Sequence, residues 1–312
     1  MTAIHSPDGT PASRFAFGAM QFGGKADEAA SAAMFEAALA AGITHFDSAF
    51  LYTDGRADEI LGRLAAPRRD GLTIATKVGY RPGSGPETLQ QEFDTTRRRL
   101  GMERVEILYL HRWDPETEPE RRMDWLAETQ AAGGFDHIGL SNFAAWQVMK
   151  AQGLAAERGT RIAVIQPMYN LVKRQAEVEL LPMCMAEDIL PVPYSPLGGG
   201  LLTGKYSRDG AAGRLKEQEN YARRYGAAWM HEAAQDLAGI ADELGTHPAT
   251  LAVAWVASHP AQPVPILSAR SAEQLAPSLQ GIAYPMDEGL RARLSALAPA
   301  PPPATDRLEE QA

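Results

Sequence analysis

Cysteine is nearly absent from this chain of 312 residues, which contains only Cys184. A single cysteine cannot form an intramolecular disulfide, so the chain does not fit the disulfide-stabilised secreted proteins. The apolar segment Leu180–Ala186 predicts a helix that buries Cys184 as core packing rather than exposing it for redox chemistry. The sequence has no charged-then-apolar leader, and together with the missing disulfide this predicts a reducing, cytoplasmic location.

Long hydrophobic runs and basic clusters are missing as well. The uninterrupted apolar runs are far shorter than the roughly 18 residues that a membrane-spanning helix requires. Acidic residues outnumber basic ones by 39 to 30 and no basic stripe is present, which argues against a nucleic-acid partner. The triplet Arg97–Arg99 is best explained as the solvated face of a helix. No His-x-His pair ends a strand, so we expect no metal site and give a metal-dependent hydrolase little support.

What the sequence does contain is typical of a globular domain, with 45% hydrophobic and 22% charged residues. Short apolar or β-branched stretches alternate with helical patterns along the chain. The predicted strands are 15–20, 44–48, 72–78, 105–111, 135–140, 162–166, 190–194 and 264–268. Such alternation predicts an α/β fold with a parallel sheet, and eight units predict a closed (β/α)8 TIM barrel. We therefore expect a single barrel domain over residues 1–312.

Two segments depart from the regular alternation. About 70 residues separate the last two predicted strands, a length typical of a lid or specificity segment after a barrel strand. Helical patterns near 226–244 and 248–258 lie within this insertion, and the order of its 206–224 stretch stays open. The proline-rich and then polar end of the chain, 299–312, predicts a flexible tail.

Four polar side chains of different types stand at the ends of three successive predicted strands. Asp47 and Tyr52 follow the second strand, Lys77 ends the third and His111 ends the fourth. The carboxyl ends of parallel barrel strands converge on one face, where such folds place their chemistry. Each residue also has an ordinary explanation, as a helix cap, a half-buried aromatic, a surface charge or a satisfied histidine. Their joint position instead predicts a shared pocket.

The four groups together suit the transfer of a proton to or from an oxygen atom. A free tyrosine titrates near pH ~10, which makes it a poor acid towards an alkoxide at neutral pH. An ammonium such as that of Lys77 lowers the pKa of a neighbouring phenol, and Asp47 supplies the counter-charge that keeps the lysine protonated. His111 can donate a hydrogen bond to a substrate oxygen and fix its position. These roles make Tyr52 the predicted general acid.

These segments resemble the catalytic segments of the aldo-keto reductases. The similarity runs in order over roughly residues 15–280 through Phe46–Tyr52, Ala75–Gly79, Tyr109–Asp114, Gly139–Phe143, Gln166–Asn170, Tyr194–Gly198, Gly200–Tyr206 and Ala269–Leu275. The resemblance implies a (β/α)8 barrel that reduces carbonyl groups with a nicotinamide cofactor. It assigns Tyr52 as the general acid, Lys77 as the residue that lowers its pKa, and Asp47 as the partner of Lys77. His111 would orient the carbonyl.

The cofactor must be bound by barrel loops, because no Gly-x-Gly-x-x-Gly follows a strand and a Rossmann-type fold has no support. By the resemblance, Tyr194 stacks on the nicotinamide. Ser141, Asn142 and Gln166 would bond its carboxamide, and the first two are also typical of a helix cap. The complete predicted cofactor set is Gly18, Ala19, Met20, Ser141, Asn142, Gln166, Tyr194, Ser195, Leu197, Gly200, Lys205, Ser268, Arg270, Gln274 and Ser278.

Two segments are predicted to contact the cofactor phosphates. The glycine-rich turn 197–205 has bare backbone amides that can approach a pyrophosphate. Ser268–Ser271 leads into a helix, whose N-terminus favours an anion. By the resemblance this segment contacts the adenosine end, and Arg270 is the candidate for recognising a 2′-phosphate, so NADP(H) is favoured over NAD(H). Ser268 stands where many related sequences have glycine and Ser278 where an amide is common, which leaves the adenine contacts open.

The substrate side of the pocket is less determined by the sequence. Phe22, Phe50 and Trp113 flank the catalytic strand ends and are predicted to line an apolar mouth suited to aromatic or aliphatic aldehydes. Trp113 is the strongest of these candidates, although simple packing explains it equally well. Arg214 and Arg223–Arg224 lie in the insertion, where solvated loop charges are a simpler explanation than contacts to an anionic substrate.

Three functions remain open from the sequence. The leading one is NADPH-dependent reduction of aldehydes or ketones to alcohols. The second is an NAD(P)⁺-dependent dehydrogenase of a sugar or pyridoxal-like alcohol. The third is a regulatory subunit that binds cofactor but turns over slowly, as potassium-channel β-subunits of this family suggest. In each case the expected ligand is a small carbonyl or alcohol. A monomer is the default because no heptad repeat is present, while a dimer or a larger ring stays open.

Overall fold

The computed structural model describes residues 3–207, 214–305 and 307. Within them, eight short parallel strands form one sheet in the order β7-β6-β5-β4-β3-β2-β1-β8. The strands are β1 Ala16–Gly18, β2 His45–Asp47, β3 Thr73–Val78, β4 Val105–Leu110, β5 Phe135–Ser141, β6 Ile162–Gln166, β7 Leu190–Pro191 and β8 Ile266–Leu267.

Helices alternate with these strands along the chain. Those in the described residues are α1 Glu28–Ala40, α2 Arg56–Ala65, α3 Pro86–Leu100, α4 Pro119–Ala131, α5 Ala145–Glu157, α6 Leu180–Glu187, α7 Arg214–Glu217, α8 Glu219–Arg224, α9 Ala228–Glu243, α10 Pro248–Ala257, α11 Ala272–Gln280 and α12 Glu288–Ser295. Their starts have local causes. Asp27 caps α1 by accepting from the amide of Ala30 at 2.8 Å, and proline begins α3, α4 and α10, where its missing N–H is not needed.

The two end strands of the sheet order are hydrogen-bonded to each other. The amides of Val264 and Ile266 donate to the carbonyls of Pro191 and Pro193, each at 2.9 Å. The sheet therefore closes on itself, and the predicted α/β architecture of eight parallel strands is confirmed. The predicted strand 190–194 was too long, because its two prolines lack the N–H groups that would face β8.

The strand register brings the ends of β2 and β3 to the same level. Asp47 pairs with Gly18 on one side and with Ala75 on the other. Lys77 follows Ala75 by two residues, so both side chains project to the same face of the sheet. Ala75 belongs to the apolar cluster inside the barrel, and Lys77 therefore extends that interior face towards the carboxyl ends of the strands.

The barrel interior is filled by side chains from several strands, among them Ala16, Ala75, Ile107, Tyr109, Ala163, Val164, Val192 and Ile266. Gly139 makes room for the largest of these, since a Cβ at this position would lie 2.3 Å from the Tyr109 ring. A larger cluster fills the space between the sheet and helices α1 to α6 and α11, and a third packs around Trp255 of α10 beneath α9. Cys184 lies in the larger cluster, where burial raises the pKa of its thiol to about 12.

The insertion between β7 and β8 contains α7 to α10 in its described part. The helices predicted near 226–244 and 248–258 correspond to α9 and α10, while residues 208–213 lie outside the described residues. A lid or specificity role for this insertion stays a prediction, as do the single-domain organisation and the flexible tail. Within the described part of the chain, no helix combines the length and the apolar character needed to cross a bilayer.

Candidate active site

A cavity of about 1250 Å³ opens at the carboxyl ends of the strands, the face where (β/α)8 barrels carry their chemistry. Asp47, Tyr52 and His111 line it. Lys77 is fully buried and bonded to Asp47. The structure thus brings together the four polar side chains that were predicted to share a pocket.

Asp47 and Lys77 form a buried ion pair, with side chains that are 3% and 0% exposed. The Lys77 ammonium donates to Asp47 Oδ1 and, at 2.7 Å, to the carbonyl oxygen of Ser48. Gln166 Nε2 donates to Asp47 Oδ2 at 2.9 Å. Burial lowers the pKa of Lys77 from its ordinary value, and the Asp47 carboxylate opposes that change. The ammonium is therefore a stronger acid than a free lysine.

Tyr52 lies on a loop that is tied to β3. The amides of Ser48 and Phe50 donate to the carbonyls of Ala75 and Lys77, at 2.8 and 3.0 Å. This attachment places Lys77 Nζ 5.0 Å from the centroid of the Tyr52 ring. The loop thus fixes the phenol next to the buried ammonium.

A left-handed turn follows Tyr52. Thr53, Asp54 and Gly55 have φ angles of 48°, 55° and 93°. This conformation costs a residue such as threonine about 1–2 kcal/mol. The Thr53 hydroxyl offsets part of it by donating to the carbonyl of Phe22 at 2.8 Å and accepting from a first-turn amide of α2 at 2.9 Å. The turn therefore has one well-determined geometry, which positions Tyr52 at its start.

His111 faces Tyr52 across the cavity floor. The two ring centroids are 6.0 Å apart and the rings are nearly perpendicular, at 84°. Burial lowers the pKa of His111 to about 3, and the positive charges of Lys77 and Arg112 act in the same direction. The imidazole is therefore neutral at physiological pH and can offer one N–H to a carbonyl oxygen without carrying charge.

The predicted nicotinamide contacts form a connected network in the structure. The Tyr194 hydroxyl donates to Asn142 Oδ1 at 2.7 Å, and Asn142 Nδ2 donates to the carbonyl of His111 at 3.0 Å. The Ser141 hydroxyl donates to the carbonyl of Gln166 at 3.1 Å. These bonds hold the Tyr194 ring at the cavity wall. The same bonds engage the Ser141 hydroxyl and the Asn142 amide, which were predicted from the sequence to bond the nicotinamide carboxamide.

The predicted phosphate contacts surround another part of the cavity. Gly198–Gly200 have positive φ angles, and a Cβ on Gly200 would lie 3.3 Å from Lys205 Cε. The hydroxyl oxygen of Ser268 is buried without a hydrogen-bond partner among the described residues. Ser271 caps α11 by accepting from the amide of Gln274. Close backbone approach, an unused hydroxyl and a helix N-terminus are the features that an anion requires.

An acidic residue of the insertion links two other loops beside this region. Glu217 accepts from Arg270 Nη2 at 3.2 Å and lies 3.6 Å from Lys25 Nζ. Lys25 precedes α1 and Arg270 follows β8, so the three charges join the loops after β1, β7 and β8. Arg270, the 2′-phosphate candidate, therefore has a carboxylate partner in the structure.

Most predicted cofactor residues line the cavity, namely Gly18, Met20, Ser141, Asn142, Gln166, Tyr194, Ser195, Leu197, Gly200, Lys205, Ser268, Arg270, Gln274 and Ser278. Ala19 does not, because it is fully buried in the core. Trp113 lines the cavity as predicted for the substrate side. Phe22 does not, since it is 0% exposed and packs on Phe17 at 5.6 Å. Phe50 is half-buried beneath the Arg99 guanidinium instead, at 5.1 Å.

Sequence reasoning missed several cavity residues. The loops after β3 and β4 contribute Tyr80 and Arg112, and α9 and the turn before α10 contribute Asp242 and His247. Tyr80 and Arg112 directly follow recognised strand-end segments, which is a signal that could have marked them. The residues of the insertion carry no such signal. Of its arginines, Arg224 lines the cavity, Arg223 pairs with Glu219 at the surface, and the side chain of Arg214 lies outside the described residues.

A second buried carboxyl group lies behind the ion pair. Asp58, in the first turn of α2, is 0% exposed and accepts from the Ser48 hydroxyl at 2.5 Å. Its other oxygen has no hydrogen-bond partner among the described residues. Burial raises the pKa of Asp58 to about 6, against smaller opposing effects of Ser48, Thr96, Arg99 and Lys77. Asp58 therefore binds a proton more tightly in the folded protein than in the unfolded chain.

We expect this shift to make stability fall as pH rises. Because the folded-state pKa lies above the unfolded value of 3.8, the stabilisation is complete at low pH and is lost as pH rises through about 6. Asp58→Asn removes this dependence. Its unfolding free energy should gain about 2 kcal/mol on the wild-type value between about pH 4 and about pH 7, as measured by urea unfolding. The exposed Asp236→Asn is the control, and parallel pH profiles for the Asp58 variant and wild type would contradict the assignment.

The described residues contain no group of three or more His, Cys, Asp or Glu side chains placed to hold a metal ion. The titratable groups at the cavity floor are the Tyr52 phenol, the Lys77 ammonium, the Asp47 carboxylate and the His111 imidazole.

Comparison with known proteins agrees with this geometry. A sequence profile described as the Aldo/keto reductase family matches residues 14–298. The chain is 29% identical over 313 residues to the uncharacterized oxidoreductase YrpG of Bacillus subtilis, and the match covers 94% of each chain. It is 32% identical over 269 residues to a probable voltage-gated potassium channel subunit beta of Arabidopsis thaliana, covering 81% of this chain and 82% of that one.

A third relative matches over a shorter stretch. The chain is 35% identical over 218 residues to aflatoxin B1 aldehyde reductase member 2 of Rattus norvegicus, covering 68% of this chain and 58% of the rat protein. The match thus spans less than two thirds of that relative's length. Taken with the barrel and the profile match, these similarities show that the chain belongs to the aldo/keto reductase family, whose members are oxidoreductases acting on carbonyl and alcohol groups with nicotinamide cofactors.

Proposed function

We propose that this protein reduces aldehydes and ketones to alcohols with NADPH, using Tyr52 as the general acid. The observation that carries the proposal is the placement of Tyr52 between a buried ammonium and a neutral imidazole at the cavity floor. A phenol in that position has a proton to give and a charged neighbour that stabilises the phenolate left behind.

Each of the four residues has a distinct task in this proposal. His111 donates a hydrogen bond to the carbonyl oxygen and orients it. Tyr52 then gives its proton to that oxygen as negative charge develops there. Lys77 stabilises the resulting phenolate, and Asp47 holds the ammonium in place and compensates its charge in the core. In the oxidation direction Tyr52 accepts the proton instead.

The cavity suits a dinucleotide that contributes the reducing equivalents. When bound, NADPH supplies a hydride from its nicotinamide ring. Three observations support the fit: the fixed Tyr194 ring, the close-packed glycines at Gly198–Gly200 and the unused hydroxyl of Ser268. We propose that Tyr194 stacks on the nicotinamide and that the loops after β7 and β8 bind the phosphates.

We propose that Arg270 gives the protein its preference for NADP(H). Its guanidinium lines the cavity beside the N-terminus of α11, a place that favours an anion. A charge-assisted bond to a 2′-phosphate is worth about 1.5–3 kcal/mol. Arg270→Met should therefore weaken NADPH binding about 10- to 100-fold while changing the dissociation constant of NADH less than about threefold, as measured by fluorescence titration.

Arg293→Met is the matched control for this titration. It removes an arginine from a surface pair with Glu243, and Arg293 does not line the cavity. If Arg270→Met weakened both nucleotides equally, Arg270 would not read the 2′-phosphate. The preference for NADP(H) would then need another explanation.

Turnover assays separate this proposal from the alternatives. Purified protein should oxidise NADPH in the presence of aromatic and aliphatic aldehydes, at rates that depend on the aldehyde. Faster turnover of an alcohol with NADP⁺ or NAD⁺ would favour a dehydrogenase of sugar-like or pyridoxal-like alcohols. Cofactor binding without turnover on any carbonyl or alcohol would favour a regulatory subunit, in line with the similarity to a channel subunit.

A further inference from the structure

One charged side chain at the catalytic part of the cavity has no role in the chemistry described above. Arg112 follows His111 directly, is half-buried and lines the cavity. Its neighbours on the wall include Tyr80 and Trp113. The charges of Asp47 and Lys77 neutralise each other. The Arg112 guanidinium therefore adds a net positive charge to this wall of the cavity.

Arg112 has no acidic partner within the described residues. None of their carboxylates lies within ion-pair distance of its guanidinium, in contrast to Arg69, Arg158, Arg174 and Arg270, which all pair with acids. Its charge does reach the active site, because it contributes to the lowered pKa of His111. No hydrogen bond from the Arg112 side chain is formed within the described residues either, so its guanidinium keeps its donors available for an anion that enters the cavity.

Aromatic contacts fix the position of the guanidinium. Its central carbon lies 5.6 Å from the centroid of the Tyr80 ring, within the range of a cation–π interaction. The Tyr80 ring in turn lies 5.0 Å from His111, at an interplanar angle of 69°. His111, Tyr80 and Arg112 therefore form a continuous row along one wall. A substrate whose carbonyl lies at His111 would reach Arg112 by extending past the Tyr80 ring.

The rest of this wall is apolar. Trp113 packs edge-on against Phe143 at 5.6 Å and against Trp146 at 5.5 Å, and the Trp146 side chain stays 63% exposed. Leu51 also lines the cavity and is 39% exposed. These surfaces suit the carbon skeleton between the two polar ends of a substrate.

We infer that the substrates of this enzyme carry a carboxylate or a similar anion that binds Arg112, separated from the reacting carbonyl by a short apolar or aromatic linker. This inference rests on the proposed carbonyl-reductase function and names the substrate class of the same site. A guanidinium fits the class because it can bind a carboxylate through two parallel hydrogen bonds.

The test compares two aldehydes of nearly equal shape that differ in charge. 4-Carboxybenzaldehyde carries the anion, and methyl 4-formylbenzoate is its neutral ester. The wild-type enzyme should show the higher kcat/KM for the acid. In Arg112→Met the ratio of the two kcat/KM values should fall about 10- to 100-fold, mainly through KM for the acid. Arg112→Lys should retain part of the ratio, because it keeps the charge but loses the paired geometry.

Two further arginines serve as comparisons in this assay. Arg224→Met removes another arginine that lines the cavity, one whose charge acts on Tyr194, and Arg223→Met removes an exposed neighbour that pairs with Glu219. In both variants the acid-to-ester ratio of kcat/KM should stay within about twofold of the wild-type value. Only Arg112→Met should lower it about 10- to 100-fold. A ratio that falls with Arg224→Met and not with Arg112→Met would overturn the inference.

The outcomes also separate the inference from the proposed function. If the ester is reduced but Arg112→Met leaves the acid-to-ester ratio unchanged, the enzyme is a carbonyl reductase and only the anion site is wrong. If neither aldehyde is reduced by wild-type protein that binds NADPH, the proposed function itself fails. Raising the salt concentration gives an independent readout, because KM should rise for the acid and not for the ester.

Discussion

Tyr52→Phe is expected to remove nearly all carbonyl-reductase activity while leaving cofactor binding intact. The change removes only the phenolic oxygen, and general acid catalysis of this kind contributes about 10²- to 10⁴-fold to a rate. The backbone of the Tyr52 loop is held by hydrogen bonds to β3 and by Thr53, which do not involve that oxygen. We therefore expect kcat to fall within that range and the dissociation constant of NADPH to change less than about twofold.

Steady-state kinetics with one aldehyde and a parallel fluorescence titration check this expectation. Tyr80→Phe is the matched control, because it removes a tyrosine hydroxyl from the same cavity wall without touching the predicted acid. Its kcat should fall far less than that of Tyr52→Phe. Activity that survives in Tyr52→Phe at near wild-type levels would show that another group delivers the proton.

Lys77→Met is expected to damage both catalysis and folding. The variant leaves the carboxylate of Asp47 buried without its counter-ion, and breaking a buried ion pair by removing one partner costs about 3–5 kcal/mol. It also removes the charge that stabilises the phenolate, so kcat should drop about 10²-fold or more. Urea unfolding measures the first effect, and turnover measured well below the unfolding midpoint gives the second.

A double variant distinguishes these two roles of Lys77. In Asp47→Asn/Lys77→Met the buried charge is gone from both positions, so part of the lost stability should return. Its activity should stay low, because the ammonium is still missing. If the double variant were as unstable as the two single effects added together, the two groups would not act as a coupled pair.

Much of the site could be predicted because its residues stand at strand ends. Periodicity marks where an apolar strand stops, and parallel strands bring their carboxyl ends to one face. Asp47, Lys77 and His111 were placed correctly relative to one another on that ground alone. Tyr52 lies five residues past β2, and its assignment also used the resemblance to a family.

The parts that could not be predicted depend on how loops turn. Phe22 and Phe50 sit beside predicted strand ends like Trp113, but the loop after β1 folds Phe22 into the core. Tyr80 and Arg112 were missed for the same reason, since hydrophobic periodicity does not determine side-chain directions beyond a strand. The contact of Glu217 with Lys25 and Arg270 joins residues far apart in the chain, and only the folded barrel brings them together.

In the proposed reaction, NADPH bound in this cavity gives a hydride to the carbonyl carbon while Tyr52 protonates the oxygen. The most direct test is to incubate the enzyme with an aldehyde and NADPH carrying deuterium at the transferable nicotinamide position, and to analyse the alcohol by mass spectrometry and NMR. We predict deuterium at the former carbonyl carbon with the wild-type enzyme, and formation of that labelled alcohol about 10²- to 10⁴-fold more slowly with Tyr52→Phe. Unlabelled alcohol from the wild type, or labelled alcohol formed equally fast by Tyr52→Phe, would contradict the account.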